Sequence, residues 1–124
     1  MAFDFWRKSK PEEHLTELAS QQECEALLSG GRAILFKHSP SCAVSWAAHR
    51  EILRFRATHP DAAIYLVSVR RQRELSRYIA DHTGIEHESP QVLALANGRV
   101  AMTASHGDIT ADLLISAWQQ MQAS

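Results

Sequence analysis

The sequence predicts an α/β fold with a mixed central sheet and helices on both faces, and three observations carry that reading. Two short, wholly apolar runs, Ala33-Ile34-Leu35-Phe36 and Ala63-Ile64-Tyr65-Leu66-Val67, lie between turn signals. This is the pattern of strands buried on both faces of a parallel sheet. Stretches with helical spacing of apolar residues separate the strands, as parallel crossovers require. Near the end of the chain, Asn97-Gly98 stands between two further apolar runs. That dipeptide favours the positive φ angles of a tight hairpin, which adds an antiparallel edge.

Each element has its own local reason. Residues 1–14 mix charged, aromatic and proline positions and read as an N-terminal arm; residues 15–124 read as one domain. Leu15-Thr16-Glu17-Leu18 is short and roughly alternating, so it reads as a first strand. Ser20-Gln21-Gln22-Glu23 has capping-box form, and the helix it opens carries Cys24, Leu27 and Leu28 on one face before Ser29-Gly30-Gly31 ends it. After the Ala33–Phe36 strand come His38-Ser39-Pro40-Ser41-Cys42 and a second helix to about Thr58, with Val44, Ala48, Ile52 and Phe55 as its inward stripe. His59-Pro60-Asp61 stops it. A third helix follows the Ala63–Val67 strand from about Arg71, with Leu75, Tyr78 and Ile79 inward, and ends before Gly84. Gln91–Ala96 and Val100–Ala104 form the hairpin, and a last helix capped by Thr110 carries Leu113, Leu114, Ala117, Trp118 and Met121. The order β-α-β-α-β-α-β-β-α is that of the thioredoxin fold.

Composition narrows the function classes. Lys plus Arg is 13 and Asp plus Glu is 14, so no general attraction to nucleic acid or anionic lipid is expected. No apolar run reaches membrane-spanning length, and the opening residues lack the long apolar stretch of a secretory signal. Two cysteines without a targeting segment fit a reducing, cytoplasmic compartment better than a disulfide scaffold.

Cys42 is the residue on which chemistry would centre. It lies where a buried strand gives way to a helix, where free amides and the helix dipole stabilise a thiolate. Lys37 and His38, just upstream, are expected to add positive potential. Position alone equally fits a small apolar cysteine at a helix start. Ser45, three residues on, stands where a C-x-x-C site has its second thiol. A serine can hydrogen-bond Cys42 or satisfy first-turn backbone, but it cannot resolve a mixed disulfide. Ser89-Pro90 precedes the strand entering the hairpin, where thioredoxin-like proteins place a cis proline that turns the preceding residue towards the cysteine. An ordinary trans proline at a strand start is the other reading.

Three ordered strings make the resemblance specific. Phe36-Lys37-His38-Ser39, Ser41-Cys42-Ala43-Val44-Ser45 and His87-Glu88-Ser89-Pro90-Gln91 resemble the F-K-H-S, T-C-P-I-S and H-x-S-P-Q strings of the YtxJ family, the monothiol bacilliredoxins. Arg73-Glu74-Leu75-Ser76 and Ala104-Ser105-His106 are similar as well, so the likeness spans roughly Leu15 to Met121. The resemblance implies a thioredoxin-like fold and removal of bacillithiol from mixed disulfides on cytoplasmic proteins. It implies Cys42 as nucleophile, Ser45 at the empty resolving position, and Ser89 and cis Pro90 in the substrate groove. The partners would be S-thiolated client proteins and the small thiol, bacillithiol, as co-substrate, with no bound cofactor. Ser41 replaces the family Thr, a mild change. Ala43 replaces the family Pro and loosens the first helical turn.

Other residues are weighed against plainer roles. His38, Cys42 and His49 are the best candidate metal set, but Cys42 and His49 are about 10 Å apart along a helix at 1.5 Å per residue. One ion at ~2 Å from each ligand does not span that, so no metal site is expected. His49, His59 and His82 read as solvated helix positions. Cys24 reads as a buried structural cysteine, with a resolving role as the alternative. Arg70-Arg71-Gln72-Arg73 reads as a solvated helix start or a steering patch for an acidic thiol or protein. Trp46 fits either a substrate border or the core. Two functions compete with the oxidoreductase. One is a non-catalytic thioredoxin-like binding module for a client or small thiol. The other is an iron–sulfur carrier, which lacks support because the C-G-F-S string is missing.

Overall fold

The computed structural model describes residues 15–123, so the expected arm over 1–14 lies outside the described residues. The strands are β1 (Thr16–Glu17), β2 (Arg32–His38), β3 (Ile64–Ser68), β4 (Gln91–Ala96) and β5 (Arg99–Ser105). The helices are α1 (Gln21–Ser29), α2 (Ala43–Thr58), α3 (Arg73–Thr83) and α4 (Ala111–Ala123), with a 3-10 turn over His106–Asp108. The strands form one sheet in the order β1-β3-β2-β4-β5. β1, β3 and β2 run parallel, while β4 is antiparallel to β2 and β5 to β4. This is the thioredoxin-like architecture that the order of elements predicts.

The central strands are apolar along their middle because each face has its own core. Ile34, Phe36, Val92 and Ala94 pack with Ala48, Ile52 and Phe55 of α2 and Leu114, Trp118 and Met121 of α4. Leu35, Leu93, Leu95 and Val67 pack on the other face with Cys24 and Leu28 of α1 and Leu75 and Ile79 of α3. Alternate strand residues point to opposite faces, so β2 feeds both cores.

Local chemistry fixes the element ends. Ser20 Oγ accepts from Glu23 N at 3.1 Å, while Glu23 reaches back to Ala19 N at 3.0 Å, one residue beyond the expected capping-box partner. The third helix begins at Arg73 rather than Arg71 because Gln72 is committed elsewhere. Its Oε1 accepts from Ser68 N at 3.0 Å and its Nε2 donates to Leu18 O at 2.7 Å. Gly84, at φ 75°, ends that helix in the left-handed region. Asn97 and Gly98 have φ of 52° and 80°, the two positive angles of a type I′ hairpin. Thr110 caps α4 through Leu113 N at 3.1 Å, and Glu51 of α2 accepts from Ala111 N at 2.9 Å.

Two expectations for α2 are corrected. Val44 is exposed rather than inward, and His49 is buried rather than solvated. Val44 lies on the outer side of α2, whose buried stripe runs through Ser45, Ala48, His49, Ile52 and Phe55. His59 is partly buried, stacked on Phe55 with ring centroids 4.9 Å apart; His82 is exposed, as expected.

Candidate functional site

β2 ends at His38, and Ser39-Pro40-Ser41 carry the chain to Cys42, the N-cap of the 16-residue helix α2. Cys42 has extended backbone (φ −111°, ψ 123°), and its side chain makes no capping hydrogen bond. Its carbonyl accepts from Ser45 N and Trp46 N at 3.1 and 3.2 Å, and its own N–H donates to Ser39 O at 3.0 Å. The thiol is free and partly exposed. It therefore stands at the positive end of a long dipole, within reach of solvent and reactants.

Side chains from the first turn of α2 hold this loop. Ser45 is fully buried; its Oγ accepts from Ser39 N at 3.0 Å and lies 2.7 Å from His38 Nδ1. Trp46 Nε1 donates to Pro40 O at 2.8 Å. Ser45 thus has His38 and the Ser39 amide as partners where the sequence suggested Cys42. It stands where a resolving thiol would be and pins the turn that presents Cys42. His38 packs edge-to-face on Trp46 at 4.5 Å and lies 5.4 Å from His49, so the site is backed by an aromatic cluster.

Strand alternation separates the two residues expected to add positive potential. His38 faces α2, and burial first, then His49, lowers its pKa to about 4. At neutral pH it is uncharged and contributes no positive potential, which corrects the expectation. Lys37 faces the other core and is fully buried. Its Nζ donates to Ser76 O at 3.1 Å and lies 3.2 Å from His87 Nδ1. Burial lowers its pKa to about 8, partly offset by Cys24. Lys37 keeps its charge at neutral pH, but its described contacts are on the α1/α3 side.

The Ser89-Pro90 bond is cis, as expected. Gln91 pairs with Lys37, so Pro90 lies one register step beyond, at the His38 end of the sheet, where Cys42 also is. Pro90 O accepts from His106 N at 3.0 Å, and His106 Nε2 meets Glu88 Oε1 at 3.0 Å, closing the 3-10 turn over this segment. His106 has φ 55°, a left-handed conformation tolerated by His more than by most residues. Three buried polar atoms, His38 Nε2, Ser89 Oγ and Gln91 Oε1, have no hydrogen-bond partner among the described residues.

Cys24 is remote in kind as well as place. It is fully buried in the α1/α3 core, and burial, with Glu25 second, pushes its thiol up to about 11. A neutral buried thiol is a poor nucleophile, in keeping with the structural reading. The sequence marks Cys42, Ser45 and Pro90, while Ser76, His87 and His106 stand in family-like strings with no role assigned to them. Their partners are 11 to 50 residues away, and no local pattern marks the contacts. None of the described residues forms a His, Cys, Asp and Glu group able to hold a metal ion, and no helix is long and apolar enough to cross a membrane.

Known proteins resemble this chain in sequence and in fold. Residues 14–114 match the sequence model of a family described as monothiol bacilliredoxin BrxC. A solved thioredoxin-fold protein, to which an oxidoreductase role is ascribed, is 30% identical, with a TM-score of 0.75 over 84% of this chain and 92% of its own. Thioredoxin from Aeropyrum pernix is 17% identical, with a TM-score of 0.67 over 89% of each chain. Thioredoxin from Trypanosoma brucei brucei is 9% identical, with a TM-score of 0.70 over 91% of this chain and 95% of its own. The last two likenesses establish the fold alone.

Proposed function

The chain belongs to the monothiol bacilliredoxin BrxC family, and from that premise we propose that Cys42 removes a low-molecular-weight thiol, bacillithiol, from mixed disulfides on cytoplasmic client proteins. A thiol-oxidoreductase role follows from family and fold; the thiol, the client and the step are the proposal. The observation that carries it is a partly exposed thiol at the N-cap of a long helix, with serine at the resolving position and the second cysteine buried in the opposite core.

The Cys42 thiolate attacks the bacillithiol sulfur of the client disulfide. That S–S bond breaks, the client leaves as a thiolate and takes up a proton, and a Cys42–bacillithiol disulfide forms. Ser45 cannot attack this intermediate. A second bacillithiol thiolate does so, which frees Cys42 and leaves with the first as bacillithiol disulfide. No bound cofactor enters the cycle. Exposed Val44 and Trp46 flank Cys42 and give the client an apolar rim. Ser89, beside Pro90, lines the groove for its extended backbone.

The test is release of bacillithiol from a bacillithiolated protein. The wild-type chain is expected to restore the client thiol with free bacillithiol present, and Cys42→Ser to lose this, because a serine hydroxyl stays protonated at neutral pH. If the wild-type chain binds the client but leaves it modified, the domain is a binding module.

A further inference from the structure

A second site opens on the α1/α3 side of the same sheet end. A cavity of about 440 Å³ is lined by Arg70, Arg73, Arg77, Ser76 and His87, and no carboxylate lines it among the described residues. Lys37 lies beneath it: its fully buried Nζ meets Ser76 O and His87 Nδ1, residues of the lining. An ammonium has three donors and no acceptor, and both described partners of Lys37 are neutral. His87 supplies no compensating negative charge in either protonation state, and burial, with Lys37 second, holds its pKa below the usual value. Arg71, between the lining arginines, is paired with Glu17 outside the cavity. A buried cation is costly unless an anion meets it. Here three arginines line a hollow above one buried ammonium, with no carboxylate in the lining among the described residues.

We propose that this cavity binds a small polyanion, a ligand carrying phosphate or clustered carboxylate oxygens. Arg70, Arg73 and Arg77 form the charged wall, their forked donors suited to such oxygens. Buried Ser76 and exposed His87 offer polar contacts, and Lys37 supplies charge from below. Val69, on the rim, donates its N–H to His38 O at 3.0 Å, so the site adjoins the strand end that leads to Cys42. It does not use the thiol.

The experiment is a calorimetric and NMR titration of the full chain with inorganic phosphate and, separately, with citrate, against sodium chloride of matched ionic strength. Saturable binding of at least one probe is expected, with shifts centred on residues 69–77 and 87. Arg73→Gln/Arg77→Gln is expected to weaken it about ten-fold or more, since charge-assisted contacts are lost. These arginines are exposed, so the variant should fold. Arg54→Gln, on α2 and paired with Glu51, should leave binding unchanged. Binding of phosphate alone assigns a phosphate ligand, and binding of citrate alone assigns a polycarboxylate. No saturable binding of either probe, or binding indifferent to the two arginines, overturns the proposal.

Discussion

At the scale of the residue, the two cysteines show how environment decides reactivity. Cys42 has the helix end and solvent; Cys24 has neither, and its thiol stays neutral at physiological pH. After oxidation with a small-thiol disulfide, intact-mass and peptide mapping should find one adduct, on Cys42; a dominant Cys24–Cys42 bridge would contradict this reading. Cys24→Ala should leave the adduct chemistry unchanged and cost about 1 kcal/mol through the small cavity it opens, measured by urea unfolding. Ser45 supports Cys42 through the turn. Ser45→Ala leaves the Ser39 amide and His38 Nδ1 without their partner, a loss of about 1–3 kcal/mol. Disulfide exchange at Cys42 should slow as the turn loosens. Exchange at the wild-type rate, with Cys42 still reacting alone, would mean that Trp46 and Pro40 suffice to hold the loop.

At the scale of the element, the hairpin and the α2 N-terminus are the two places where backbone chemistry is least replaceable. Gly98 has φ 80°, and a Cβ built there would lie 3.2 Å from Leu28 O at the end of α1. Gly98→Ala therefore meets both strain and a close backbone contact, and should lower stability by about 1–3 kcal/mol, read as a fall in melting temperature. A neutral result would show that β4 and β5 can shift to relieve it. The hairpin was legible because Asn-Gly states its turn type locally. So was the strand character of β2 and β3, because a strand buried on both faces has to be apolar throughout. The facing of Lys37 and His38 was not legible: both follow the apolar run, and only the helices packed on each face decide what each side chain meets. Val44 and His49 were misread because helical periodicity says which residues share a stripe but not which positions at its edge are covered. The Lys37–Ser76–His87 cluster joins three separate segments, so no local pattern marks it.

At the scale of the molecule, the sheet divides two cores, and the polar groups of the site are drawn into one of them. His38 is the sharpest case, since it is buried against Phe36, Trp46 and His49 with its pKa lowered to about 4 from 6.5. A depressed folded-state pKa means that the unfolded chain takes up this proton first as pH falls. The stability tied to a neutral His38 is therefore fully present above pH 6.5 and is lost progressively as pH falls towards 4. His38→Gln keeps a hydrogen-bonding side chain near Ser45 and removes the proton site. The two chains share every other titratable group, so the difference between them isolates His38. Wild-type unfolding free energy should fall more steeply than that of His38→Gln between pH 6.5 and 4, and the two curves should run parallel above pH 7. Urea unfolding at half-unit pH intervals measures both. Parallel curves throughout would mean that His38 is protonated in the folded protein at the same pH as in the unfolded chain. The burial-depressed pKa assigned to His38 would then be wrong.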